Sequence, residues 1–176
     1  MTSALHVSDF VSRALEAVAL PAPETALRSL LEAQVTSLRA HGCRWLNHAE
    51  DELLVHASPA LTIYHITLTP GVSYPPHDHR MPAMIALYDG VETSCSYRRS
   101  GPGLELVQTH DYRAPCVEAL PADAIHSVLN PGTVRSAAIH VYFGDLTSMK
   151  RSVWDSALCQ ERPFDNMFYF QQARQS

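Results

Sequence analysis

Gly71-Val72-Ser73-Tyr74-Pro75-Pro76-His77-Asp78-His79 is the stretch on which the reading of this chain turns. Side chains two positions apart on an extended strand project to the same side, so His77 and His79 present two imidazoles to one point in space. Imidazole is a preferred ligand of transition-metal ions, although a lone His-x-His is weak evidence because exposed and core histidines are common. A second segment strengthens it: in Pro121-Ala-Asp-Ala-Ile-His126-Ser-Val-Leu-Asn130 a tight turn feeds a strand. A folded barrel can bring His126 opposite the first pair, and three neutral nitrogens then cap one face of an ion.

Outward from these segments the chain reads as strands. Leu53 to His56, Leu61 to Thr69, Met84 to Tyr88, Val91 to Tyr97, Leu104 to Thr109, Cys116 to Leu120, Ile125 to Leu129 and Ala137 to Phe143 are short apolar, β-branched or aromatic runs. Turn formers separate them, among them Pro70-Gly71, Asp89-Gly90, Gly101-Pro102-Gly103 and Asn130-Pro131-Gly132, at the near-regular spacing of an all-β sandwich or barrel. The first quarter differs. Phe10, Val11, Ala14, Leu15 and Val18 recur at helical spacing from Ser8 to Leu20, with Ser8 or Asp9 as N-cap and Pro21 and Pro23 as stops. Leu27, Leu30, Leu31, Val35 and Leu38 mark a second helix over about Glu24 to Ala40, which Gly42 ends. A short helix is expected near Ser148 to Leu158, followed by Phe164, Phe168, Tyr169 and Phe170 packing back on the barrel. The expectation is one domain: a helical segment, 1–45, on a barrel with a C-terminal extension, 46–176.

The formal net charge of -5 and the absence of any Lys/Arg run argue against a nucleic-acid or anionic-membrane partner. No apolar stretch has the length of a membrane span, and His6, Asp9, Arg13 and Glu16 interrupt the first twenty residues, so a cytoplasmic location is expected. Cys43, Cys95, Cys116 and Cys159 form no Cys-x-x-Cys pair and read as ordinary thiols. Ten histidines are many for this length. Outside the motifs, His6, His41, His48, His56, His65 and His110 read as structural or exposed, with His65 lining the barrel through its alternation with Leu61 and Ile63.

Gly71-x5-His77-x-His79, then Gly90 at the end of the next strand, then Pro121-x-Asp-x-x-His126-x3-Asn130 match the two halves of the cupin signature in order and spacing. From about Gly71 to Arg151 the chain resembles the cupin superfamily and, within it, the thiol dioxygenases: cysteine dioxygenase and, more closely, the bacterial 3-mercaptopropionate dioxygenase type. The resemblance implies an all-β cupin fold, a double-stranded β-helix or jelly-roll barrel, with the N-terminal pair of helices added. It implies Fe(II) on His77, His79 and His126, with zinc or nickel as alternatives in purified protein, and oxidation of a small thiol to its sulfinate by O2. Most cupins add a glutamate ligand a few residues after His-x-His. Here Arg80-Met-Pro-Ala-Met84 offers none, as in the thiol dioxygenases. Without that carboxylate the ion keeps its full positive charge for an anionic thiolate, and three cis positions stay open for thiol and dioxygen.

The same resemblance assigns His140 and Tyr142 in Ile139-His140-Val141-Tyr142 to the last two members of a Ser-x-His-x-Tyr relay, with Ala138 in the place of the serine. It assigns Arg151 to a clamp on the substrate carboxylate, a task that suits a guanidinium fork. Against these stand plainer readings: a His/Tyr pair on the barrel wall, and a solvated arginine beside Lys150. Ala83 and Met84 occupy the region of the cysteine that the animal enzymes cross-link to the relay tyrosine, and no arginine lies at Leu53 to His56. Two rival functions remain: a metal-binding cupin acting as a sensor or small-ligand module without turnover, and a hydrolytic zinc site.

Overall fold

The structure, a computed structural model, describes residues 6–155 and 160–175. Helix α1 (Val7–Val18) buries Phe10, Ala14 and Ala17 on one face. Its N-cap is His6, without a side-chain cap, so the helix starts just ahead of the expected Ser8 or Asp9. Pro23 does not merely close α1. It is the first residue of α2 (Pro23–His41), where its missing N–H costs nothing. Gly42 ends α2 in the left-handed conformation, φ 59°, and Cys43 N–H reaches back to the Leu38 carbonyl at 3.1 Å.

The strands are β1 (Glu52–Ala57), β2 (Thr62–Ile66), β3 (Val72–Asp78), β4 (Ala83–Asp89), β5 (Val91–Ser100), β6 (Gly103–Arg113), β7 (Cys116–Leu120), β8 (Ile125–Leu129), β9 (Ala137–Tyr142), β10 (Ser152–Trp154), β11 (Glu161–Pro163) and β12 (Arg174–Gln175), with α3 (Asn166–Gln172) before the last. They form two antiparallel sheets, β1-β2-β9-β4-β7 and β11-β10-β3-β8-β5-β6, with β12 added to β3. This is the all-β jelly-roll barrel expected of a cupin fold, with the helical pair laid on one sheet. No helix among the described residues is long and apolar enough to cross a membrane.

The first sheet is covered on both faces. Leu61, Ile63, Met84, Ala86, Tyr88, Ile139 and Val141 pack under Phe10, Leu27, Leu31 and Val35 of the helices. Ile85, Leu87, Ala138 and Tyr142 face the second sheet. That double burial explains why β4 and β9 are buried along nearly their whole length and mostly apolar instead of alternating. Each fully buried Phe or Leu adds roughly 1.5–3 kcal/mol of transfer free energy to this seam. The helix expected at Ser148 to Leu158 is overturned. Ser152–Trp154 is strand β10, paired to β3 through Val153 opposite His77 and to β11, and residues 156–158 lie outside the described part. The aromatic tail does pack back: Phe164, Phe168 and Tyr169 join Ile66, Tyr74 and Val153 in one cluster.

Candidate metal centre

Strict alternation along β3 would put Tyr74 and His77 on opposite faces. Instead Tyr74 pairs with Val128 and His77 with His126, so three residues of β3 span two of β8, and the ladder slips by one residue at Pro75-Pro76. Neither proline has an N–H to give to a ladder, which makes this the place where a bulge is tolerated. The bulge turns His77 to the interior, the side already taken by Tyr74 and Val128.

His77, His79 and His126 then converge, with one ring nitrogen of each lying within 4.8 Å of the others. Ring centroids are 5.0, 4.6 and 5.1 Å apart, and all three side chains are buried. The Pro75 carbonyl can only accept, so at 3.1 Å it draws the proton to His77 Nδ1 and leaves the Nε2 lone pair free. Both ring nitrogens of His126 are buried without any hydrogen-bond partner, an arrangement that a cation relieves. Burial holds His126 at about 4 and pushes His77 and His79 well below the usual histidine range, so all three are neutral and able to donate lone pairs. This is a three-histidine metal site, and among the described residues its cluster contains no carboxylate.

Asp78, between the first two ligands, points the other way and anchors the neighbouring strand. Its Oδ1 accepts from Ser152 N–H at 2.7 Å, and its Oδ2 lies 2.6 Å from Arg80 Nε and 3.4 Å from Arg99. Glu161 closes this network by accepting from Arg99 at 2.8 Å and from Ser152 Oγ at 2.6 Å. Fixing Ser152 fixes Arg151. The Arg151 guanidinium carbon sits 3.3 Å above the Phe164 ring, and the side chain lines the same cavity as the three histidines. Arg151 is thus partly buried at the site and is not a solvated surface residue.

His140 and Tyr142 also face this cavity from β9. Nδ1 of His140 is 3.3 Å from the Tyr142 hydroxyl, and its Nε2 is buried without a partner. Burial lowers His140 to about 3 and raises Tyr142, so the imidazole is neutral and the phenol protonated. The Tyr142 ring lies 4.9 Å from that of His79. Ala138, fully buried, packs among Ile85 and Leu87 and leaves Tyr142 as the polar neighbour of His140 on this strand.

The cavity holds groups that sequence reasoning passed over. Glu52, Tyr64 and Tyr169 line it near Arg151, and Glu92, Ser94, Tyr112 and Glu118 line it on the side of β5, β6 and β7. Burial pushes Glu52 and Glu92 up to about 7. Tyr64 was within reach of the alternation rule, since it sits between Ile63 and His65 and must take the opposite face. Glu52 carries no such signal, because only the sheet order places its edge strand over the cavity. His65 is a correction: it lines the helix-side core, not the barrel. Its Nε2 lies 2.7 Å from the Tyr88 hydroxyl, and its Nδ1 lies 2.5 Å from His48 Nε2. Alternation with Leu61 and Ile63 holds, but that face of the sheet looks toward α1 and α2. Cys43, Cys95 and Cys116 are free thiols, and Cys159 lies outside the described residues.

No protein-family model matches the chain, and no curated protein does. Among solved structures, it is similar to a Bacillus subtilis oxalate decarboxylase studied for its Mn(II) centres, at 18% identity and TM-score 0.46 over 56% of this chain and 27% of the other. It is also similar to an oxalate oxidase in complex with glycolate, at 19% identity and TM-score 0.43 over 48% and 42%. The matched parts are less than half the length of those proteins, and likeness at this level says nothing of substrate.

Proposed function

We propose that this protein is a non-haem Fe(II)-dependent dioxygenase that converts a small thiol carboxylate to its sulfinate with O2. The observation that carries this reading is the meeting of three neutral imidazoles, Tyr142 and Arg151 on one cavity, with no carboxylate in the ligand cluster. His77, His79 and His126 would hold the iron. When bound, iron supplies the electron-transfer chemistry that lets dioxygen react with a thiolate, and its uncompensated charge favours the anionic sulfur.

The chain's own groups supply binding, orientation and proton handling. Arg151, steadied on Phe164, offers a fork to the carboxylate. The reaction turns RSH and O2 into RSO2⁻ and H⁺: both oxygens join sulfur, which gives up four electrons to them, and the thiol proton must leave. Neutral His140, whose Nε2 has no partner, and the protonated Tyr142 hydroxyl would orient the reacting groups and relay that proton toward solvent. Ile66, Leu68, Ile85, Leu87 and Val128 give the cavity apolar walls that restrict water.

The test is anaerobic Fe(II)-loaded protein mixed with 3-mercaptopropionate, cysteine and cysteamine, followed by admission of air. A change in the iron spectrum, oxygen uptake and a sulfinate product are expected from at least one thiol. If none perturbs the spectrum and no oxygen is consumed, the reading fails in favour of a binding module without turnover. Zinc in protein grown without added metal, together with hydrolytic activity, would favour the zinc alternative.

A further inference from the structure

Glu52 opens β1, the edge strand of the first sheet, and Arg151 directly precedes β10, near the edge of the second. Both line the metal cavity. Two of the surface grooves run up to that cavity, and their charges are opposite. One is lined by Glu50, Asp51 and Glu52 and shares Glu52 and Tyr64 with the cavity. The other is lined by Lys150, Arg151 and Arg162, with Glu161 as its one acid, and shares Arg151 and Phe164 with it.

The acids of the first groove are not equivalent. Asp51 is already satisfied by Arg135, Tyr74 and Thr69. Glu50 is largely exposed, with His48 3.9 Å from its carboxylate. The Glu52 carboxylate makes no hydrogen bond or ion pair with the side chain of any described residue, although Arg151, Tyr64, Tyr142 and Tyr169 lie closely enough to act on its charge or be acted on by it. Arg151 is held by the Phe164 face and is not paired to Glu52. A carboxylate and a guanidinium that line one cavity and act on each other only through space, with no ion pair joining them, leave room between them for a ligand that offers each a partner of opposite charge.

We propose that Glu52 and Arg151 together select a dipolar thiol, one bearing an ammonium group as well as a carboxylate, and that Glu52 is the residue that turns away simple thiol carboxylates. The inference deepens the thiol dioxygenase reading and rests on it for the sulfur, whereas the two-charge recognition stands on Glu52 and Arg151 alone. A thiol with only a carboxylate satisfies Arg151 and meets Glu52 with a like charge. A thiol with only an ammonium leaves Arg151 unpaired. The raised protonation range of Glu52 accords with this, because a neighbouring ammonium offsets the burial that disfavours its ionised form.

The experiment titrates Fe(II)-loaded protein anaerobically with cysteine, 3-mercaptopropionate and cysteamine at pH 8, reading the iron spectrum and binding heat. Alanine and propionate serve as sulfur-free probes by calorimetry. Wild type is expected to prefer cysteine over 3-mercaptopropionate, and alanine over propionate, by about tenfold, the size of one charge-assisted contact. Glu52→Gln, with metal content and circular dichroism as folding controls, is expected to abolish or invert both preferences, and Glu52→Asp to keep them. A cysteine to 3-mercaptopropionate ratio that Glu52→Gln leaves within twofold overturns the proposal, as does a wild type that prefers 3-mercaptopropionate. Should thiols leave the iron unperturbed while the alanine preference appears and vanishes in Glu52→Gln, the dioxygenase reading falls and the dipolar site stands.

Discussion

Replacing Glu92 by Gln should change how stability depends on pH, and the size follows from the site. Glu92 is 4% exposed, and its one close hydrogen bond is from Ser136 Oγ at 2.6 Å. Burial raises it from 4.5 to about 7, helped by the charge of Glu118 and opposed by Ser136. Since the folded state holds this proton more tightly than the unfolded chain, stability is lost as pH rises from 4.5 through 7, and the loss is complete above 7. At about 1.4 kcal/mol per pH unit, the span from 4.5 to about 7 is roughly 3 kcal/mol. Glutamine keeps an oxygen that can accept from Ser136 and never ionises. Urea denaturation of metal-free wild type and Glu92→Gln at pH 5 and pH 8 isolates the effect, since the other titrating groups are common to both proteins. Relative to wild type, the variant should gain about 2–3 kcal/mol between the two pH values. Parallel profiles, agreeing to within about 0.5 kcal/mol, would refute the reasoning.

His126→Ala leaves two imidazoles, so metal retained after dialysis, measured by mass spectrometry, should drop below about a tenth of the wild-type content. Retention near the wild-type level would mean the ion sits elsewhere. Asp78→Asn strips the charge facing Arg80 and Arg99, both of which remain accessible to water, and should cost about 1–3 kcal/mol in chemical denaturation. It should also raise the KM of carboxylate thiols more than it lowers kcat, because the Ser152 anchor beside Arg151 loosens. Gly90→Ala meets two obstacles: φ is +80°, and the added Cβ would lie 2.9 Å from Ser136 Cα. A thermal scan should show a loss of about 2 kcal/mol or more, and an unchanged Tm would contradict the close approach of this turn to Ser136.

Much of the fold was legible because its signals are local. Cys116–Leu120 and Ile125–Leu129 are the strands expected, bounded by turn residues whose backbone preferences act within a few positions. Gly42 and Pro23 mark helix ends for the same reason. The misreadings share one cause. The segment at Ser152–Trp154 is a strand because β3 holds it by pairing and through Asp78, contacts more than seventy residues away that no local preference announces. His65 faces the helices instead of the barrel because a period of two separates the faces of a strand without saying which one looks inward, and here both faces of the sheet are covered.

By itself, the sequence determined the strand and helix pattern, the two histidine-bearing segments and the lack of a nearby carboxylate ligand, since residue type and short-range spacing suffice for these. Only the tertiary structure decided that a slipped ladder at Pro75-Pro76 turns His77 inward to meet His126, that Arg151 leaves solvent to join them, and that Glu52 faces the same space. These depend on which strand edges come together when two sheets close. That is settled by the sum of buried contacts across the barrel, which no single stretch of chain contains.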